Sequence, residues 1–325
     1  MATKYYELIS ICIPTYSRSK ILDDFLSDIV PMIKDKKIPI IISDNCSTDS
    51  TKSVVESWMK TYGNISYHIN DSNLGAEKNF IIAQKLAKTK YVWLIGDDDR
   101  LVRTNFEKTL NILACNNYDY LIVNGTNGSV GTKNRINDIE SKAYKYADEL
   151  LNDLGWHMAW ISTVIVRREL IDEDAVKKYL DTRLSRVGSL FEQLSYKNNC
   201  YWFSNQVIYV QNDQKVPIGY MNDVFEIFID DFCKIASRLP DNLYTKKAKL
   251  AFTRGHNDSV FKLKHFIYYR LNENYNLKKY MKYSSSFSSV TNTNRHILLV
   301  ISIVPPIVFR ALIIIAKVLR IKLVN

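Results

Sequence analysis

Tyr91-Val-Trp-Leu-Ile-Gly-Asp-Asp-Asp-Arg-Leu101 is the stretch that decides how the chain folds. Five aromatic and branched residues describe a buried strand, and Gly96 with three successive carboxylates ends it in a hard, oxygen-rich cluster. Side chains alternate along extended backbone, so at least two of Asp97, Asp98 and Asp99 can converge on one point. A divalent cation, Mg2+ or Mn2+, relieves their repulsion best. The competing reading is a solvated turn or a helix N-cap, which acids at strand ends also form.

Upstream, strand and helix alternate. Leu8-Ile-Ser-Ile-Cys-Ile-Pro14 is a short apolar run closed by proline, and Thr15-Tyr16-Ser17-Arg18 is a polar loop. Ile21, Leu22, Phe25, Leu26, Ile29 and Ile33 then recur at helical spacing. Residues 38–43 read as a second strand, and Asp44-Asn-Cys-Ser-Thr-Asp49 opens a helix with Ser47 or Thr48 as its N-cap and Val54, Val55, Trp58 and Met59 inside. Residues 65–69 form a weaker third strand, and Asn70-Asp-Ser-Asn-Leu-Gly75 turns into a helix over 76–87. This succession predicts an α/β fold, a mainly parallel sheet covered by helices on both faces. Such sheets bind ligands beyond the carboxyl ends of their strands, where Thr15 and Tyr16, Asp44 and Asp97–Asp99 all fall.

Four segments carry a family resemblance: Ile13-Pro-Thr-Tyr-Ser-Arg18, Ser43-Asp-Asn-Cys-Ser-Thr-Asp49, Asn73-Leu-Gly-Ala-Glu-Lys-Asn79 and Gly96-Asp-Asp-Asp99. In order and spacing over roughly the first 125 residues they resemble the motifs of family 2 glycosyltransferases with the GT-A, Rossmann-like fold. The resemblance implies an inverting enzyme that moves a sugar from a UDP-, GDP-, CDP- or dTDP-linked donor to a hydroxyl. It marks Pro14, Thr15, Tyr16 and Asp44 as donor contacts, Lys78 and Asn79 as neighbours of the nucleotide, and Asp97, Asp98 and Asp99 as the metal-binding acidic motif, with Asp97 also touching the donor. Gly96 takes the place of the usual first Asp. That variant is similar to the abequosyltransferase-like branch, which decorates bacterial surface polysaccharides.

Displacing a nucleoside diphosphate calls for a cation on the leaving group and a carboxylate to take the acceptor's proton. The family places that base well after the metal motif, and Glu192 matches best by position, with Glu173, Asp174 and Asp181 in reserve. Trp156-His-Met-Ala-Trp160 brackets a histidine between two indoles. Indoles stack on sugar faces, so Trp156, His157 and Trp160 are candidates for acceptor binding, against a plain core-packing reading. Residues 126–137 form a polar loop between a nucleotide half (1–125) and an acceptor half (126–220) of the catalytic domain, and Lys215 lies in a second such loop.

Of the net charge of +10, all the excess is C-terminal: residues 246–325 hold 15 Lys/Arg against only Asp258 and Glu273. Residues 221–283 read as a helical extension with Phe225, Phe228, Ile229, Phe232 and Ile235 on one stripe, 284–295 as a Ser/Thr/Asn-rich linker, and 296–325 as an amphipathic membrane-associating segment. Arg310 interrupts the apolar run before it can span a bilayer. An apolar, basic end suits an anionic membrane surface better than nucleic acid. Five scattered cysteines and an N-terminus of no signal type lead one to expect a cytoplasmic enzyme, peripheral on the inner face of the plasma membrane. Its partners would be a lipid-linked oligosaccharide or glycan acceptor and, in one arrangement, a second copy of the chain. Rival readings are a sugar nucleotidyltransferase, weakened by the absence of glycine from residues 14–20, and a non-catalytic nucleotide-sugar-binding subunit of an assembly complex.

Overall fold

The structure is a computed structural model that describes residues 4–194, 199–210 and 221–318. It divides into two compact units. One comprises Met1–Leu150, His157–Lys215 and Leu239–Tyr244, the other Leu151–Trp156, Val216–Arg238 and Thr245–Asn325.

In the first unit a helical turn, α1 (Tyr5–Leu8), leads into β1 (Ile9–Thr15), whose seven residues are all buried. Helix α2 (Ser19–Ile33) lays Leu22, Phe25, Leu26, Ile29 and Ile33 into the core, the face expected from their spacing. After β2 (Ile40–Asp44) comes α3 (Thr51–Thr61), then β3 (Ile65–Ile69), α4 (Ala76–Lys85) and β4 (Tyr91–Leu94). Two local expectations are corrected here. Helix α3 starts at Thr51, because the Asp49 carboxylate rather than Ser47 or Thr48 accepts its first N–H, at 3.1 Å. Only Thr51 and Val55 of that helix are buried, and Met59 faces outward.

Strands β1–β4 pair in parallel. The acidic run then bends into β5 (Asp99–Leu101), followed by α5 (Arg103–Cys115), β6 (Tyr120–Thr126), β7 (Lys142–Tyr144), α6 (Ala147–Leu154), β8 (Val164–Arg167), α7 (Glu173–Lys177), α8 (Ser185–Gln193) and β9 (Cys200–Val210). The sheet order is β3-β2-β1-β4-β8-β6-β9-β5, with β7 on β9. Strand β8 runs antiparallel to both β4 and β6, and β6 pairs in parallel with β9. The register sets Thr15 beside Asp44 at the carboxyl end of the parallel half.

The second unit is helical, with α9 (Phe232–Arg238), α10 (Lys246–Arg254), α11 (Asn257–Val260), α12 (Leu263–Leu271), α13 (Leu277–Tyr283), α14 (Phe287–Val290), α15 (Arg295–Ile303) and α16 (Pro306–Val318). The aromatic stripe foreseen in the sequence is its core: Phe225 meets Tyr275 and Tyr283 with ring centroids 5.5 Å apart, and Phe228, Ile229, Phe232 and Ile235 are buried. The stretch read as a linker carries α14 and buries Phe287 and Val290, so its apolar residues outweigh its serines. Helices α15 and α16 meet at the two prolines with a bend of 100°. Among the described residues no single helix is long and apolar enough to cross a membrane.

Candidate active site

The structure separates the three carboxylates by burial. Asp97 is buried: one oxygen accepts from the Thr15 hydroxyl at 2.9 Å, and the other pairs with Arg18 Nη1 at 2.9 Å. Asp98 turns outward, with 55% of its side chain exposed, and takes Arg18 Nη2 at 2.8 Å. Asp99 is buried as the first residue of β5, where Trp160 Nε1–H donates to it at 2.9 Å and the Ser162 hydroxyl donates to the same oxygen. Ser162 also accepts from the Gly96 N–H at 2.9 Å, so one hydroxyl fixes both ends of the Gly-Asp-Asp-Asp turn. Burial pushes the Asp97 carboxyl up to about 6 against the pull of Arg18, and pushes Asp99 up to about 7 with help from the Asp98 charge. Arg100, itself buried, donates to the Asp97 and Asp99 carbonyls at 3.2 and 2.9 Å and pairs with Asp28 at 2.7 Å. Among the described residues no three His, Cys, Asp or Glu groups form a ready-made metal cage.

Arg18 enters through a strained turn. Ser17 has φ +49°, a left-handed conformation costly for a residue with a Cβ. The turn is tied to the loop after β2, since the Ser17 N–H donates to Ser47 Oγ at 2.7 Å and the Thr48 N–H to Ser17 Oγ at 3.3 Å. Asp44, the last residue of β2, accepts from the Ser47 N–H at 2.8 Å and from the Tyr67 hydroxyl at 2.6 Å. Pro14 is buried in β1, while the Tyr16 ring and Lys78 are exposed on the rim. Asn79 lies inward: it accepts from Ser43 Oγ at 2.7 Å and returns a bond to the Ser43 carbonyl at 2.9 Å, so it braces the rim from below.

The other candidates disperse. His157 is fully buried, with Nε2–H donating to the Val123 carbonyl at 2.9 Å and its ring set edgewise on Trp202 at 5.5 Å. Burial pushes it down to about 3. It is a neutral core residue, which corrects its assignment as an acceptor ligand. Trp156 belongs to the second unit, edge-on to His256 at 5.1 Å, whereas Trp160 serves Asp99 under the Arg135 guanidinium at 5.3 Å. Glu192, on α8, forms an ion pair with Lys178. The start of α8 is tied to α4, because the Ser185 N–H donates to Glu77 at 2.9 Å. Glu173 pairs with Lys85, Asp174 with Lys177 at 3.0 Å, and Asp181 lies on the surface. Lys215 lies outside the described residues. Arg18, Ser162 and Glu77 had no role in the sequence reading. A basic residue closing the first polar loop was the one visible hint among them.

A parallel half-sheet whose polar strand ends converge on an acidic turn defines a GT-A nucleotide-sugar fold. The chain belongs to glycosyl transferase family 2, whose model matches residues 10–174. It is 42% identical over 98 residues to the abequosyltransferase RfbV of Salmonella typhimurium, covering 30% of this chain and 29% of that protein. It is 32% identical over 95 residues to the GalNAc(5)-diNAcBac-PP-undecaprenol beta-1,3-glucosyltransferase of Campylobacter jejuni, covering 29% and 30%. The match thus spans under a third of these curated relatives. Among solved structures, S. aureus TarS 1-349 superposes with a TM-score of 0.57 at 16% identity over 82% of this chain and 80% of that one. The mannosyltransferase PcManGT of Pyrobaculum calidifontis superposes with 0.51 at 14% identity over 90% and 85%. At these identities the likeness concerns the fold.

Proposed function

We propose that the protein transfers a sugar, with inversion at the anomeric carbon, from a nucleoside-diphosphate donor to a hydroxyl of a lipid-linked or surface-polysaccharide acceptor. The observation that carries this reading is the convergence of Thr15, Arg18, Asp97 and Asp98 at the ends of β1 and β4, bound through Ser17 and Ser47 to the loop that follows Asp44. The solved relatives bear on the donor: TarS has been crystallised with UDP-GlcNAc, and PcManGT with GDP-Man and Mn2+. The Campylobacter relative's name specifies an undecaprenol-diphosphate-linked acceptor.

In this reading Thr15, Tyr16 and Asp44 hold the nucleoside, and Lys78 adds positive charge at the rim. Asp98 suits a hard cation: it is the carboxylate of the three that reaches solvent, and Mg2+ or Mn2+ is commonly held by one or two carboxylates together with substrate phosphates. Such an ion, when bound, would neutralise charge on the departing diphosphate. Asp97 and Asp99, committed to Thr15, Arg18, Trp160 and Ser162, hold the turn that presents Asp98. Glu192 takes the acceptor's proton, and the tie between Glu77 and Ser185 supports placing α8 beside the donor rim.

Membrane contact at the cytoplasmic leaflet belongs to the same proposal. Ile297, Val300 and Ile303 on α15 and Ile307, Leu312 and Ile314 on α16 are large aliphatic residues left exposed, in the stretch of chain that carries the positive charge.

The test is a turnover assay on the full chain, offering UDP-, GDP-, CDP- and dTDP-sugars with Mn2+ and measuring nucleoside diphosphate release. One donor should be consumed, and Asp98→Asn should abolish the Mn2+ dependence. Equal turnover by Asp98→Asn, or no donor consumed or bound, would overturn the proposal.

A further inference from the structure

Arg18 spreads one guanidinium across two carboxylates of very different standing. Its Nη1 reaches Asp97, 2% exposed, and its Nη2 reaches Asp98, 55% exposed. The first contact lies where charge is little screened. The second faces water, where an ion pair contributes little and is readily exchanged. Among the described residues Arg18 Nε is buried with no acceptor, so this pose leaves one of the guanidinium's donors unused. The turn that carries Arg18 hangs from Ser47 in the loop after β2, so events at the nucleoside end reach the guanidinium through two hydrogen bonds.

Building on the reading that this site takes a nucleoside diphosphate, we propose that Arg18 is an internal counter-cation that makes divalent-ion binding at Asp98 conditional on the donor. Without donor, Arg18 neutralises the carboxylate that the ion needs, and like charge discourages the ion's approach. With donor present, the diphosphate gives the guanidinium a second anion within reach. Arg18 then releases Asp98 while keeping Asp97, turns its unused Nε–H toward phosphate oxygen, and leaves Asp98 free. Linkage makes the coupling reciprocal: the diphosphate tightens the ion by the factor with which the ion tightens the diphosphate. The enzyme would thereby avoid holding a bare cation that could polarise water or stray anions between turnovers.

The experiment reads free Mn2+ by electron paramagnetic resonance in titrations of the full chain, without nucleotide and with UDP, GDP, CDP or dTDP in turn. Wild type should bind Mn2+ weakly alone and at least tenfold more tightly with the matching nucleotide. Arg18→Gln should bind Mn2+ alone at least fivefold more tightly than wild type and show a nucleotide enhancement smaller by the same factor, keeping the part that phosphate oxygens supply directly, and Asp98→Asn should bind none in either setting. If Arg18→Gln does not fold, Arg18→Lys serves: a single ammonium cannot bridge both carboxylates, so Mn2+ alone should bind at least threefold more tightly. An unchanged Mn2+ affinity in the folded Arg18 variant, with Asp98→Asn still deficient, would overturn the coupling and leave the metal reading standing. Wild type that binds no Mn2+ with any nucleotide would overturn both.

Discussion

Gly96 occupies the place where the resemblance leads one to expect a first carboxylate, and space accounts for it. A Cβ at that position would lie 2.9 Å from Asp98 Oδ1 and 3.1 Å from Asp99 Oδ2. Asp99 is pinned by Trp160 and Ser162, so Asp98, the exposed partner, would have to move. Gly96→Ala should therefore cost little stability, under about 1 kcal/mol, because the displaced atom is a solvent-facing side-chain end. It should lower metal-dependent turnover at least tenfold. A melting curve beside a Mn2+ titration of activity checks both parts, and wild-type activity would show that Asp98 can be moved without harm. For Glu192, replacement by Gln should leave nucleotide affinity within about twofold while cutting transfer by about 10²–10⁴, the usual span for loss of a general base. Undiminished turnover would shift that role to Glu173, Asp174 or Asp181.

At the scale of elements, the parallel half of the sheet was legible because each strand is a short apolar run ending in a polar turn, as in β1, β2 and β4. Strand β5 was not. Asp99-Arg-Leu101 is three residues long, and its partner β9 lies about a hundred residues further on, so no local pattern announces the pairing. The segment from Trp156 to Trp160 misled for a related reason. Spacing of four suggests one helical face, but His157–Ala159 is a 3-10 turn with a tighter period, so α-helical spacing does not hold across the segment. Arg18 is simply one more cation in a polar loop until the fold brings residues 97 and 98 to it. The elbow of α15 and α16 lies at the two prolines, and its exposed residues permit a sharp test. Val300→Asp together with Ile303→Asp should release the protein from vesicles containing anionic lipid, since each aliphatic side chain moved out of water contributes about 1.5–3 kcal/mol. Flotation of the variant with the vesicles to the wild-type extent would remove α15 from the contact.

Across the whole molecule, charge and titration set the conditions for use. Because residues 246–325 carry all the surplus positive charge, binding to anionic vesicles should weaken steeply as salt rises from about 0.05 to 0.5 M, and sedimentation with neutral vesicles should show little such dependence. Acid should act through His157, which burial keeps neutral down to about pH 3. The unfolded chain accepts a proton there near pH 6.5 and the folded chain does not. That contribution to stability is therefore present above pH 6.5 and is lost as pH falls, by about 2 kcal/mol at pH 5. Asp97 and Asp99, with raised values, pull the other way over the same range, so the difference between wild type and His157→Gln is the quantity to follow. Urea unfolding at pH 7 and pH 5 should show a flatter acid limb in the variant, and parallel limbs would mean that His157 is protonated without cost.

The bend at the prolines also sets how far the chain can reach. Among the described residues its arms of nine and 13 residues, at about 1.5 Å per residue, are about 14 and 20 Å long, against a hydrocarbon thickness of about 30 Å. On the proposed membrane contact, a foot of that described length would grip one leaflet. Sealed liposomes should then be glycosylated only on the surface to which enzyme is added, with half of a scrambled carrier pool spared until the liposomes are opened.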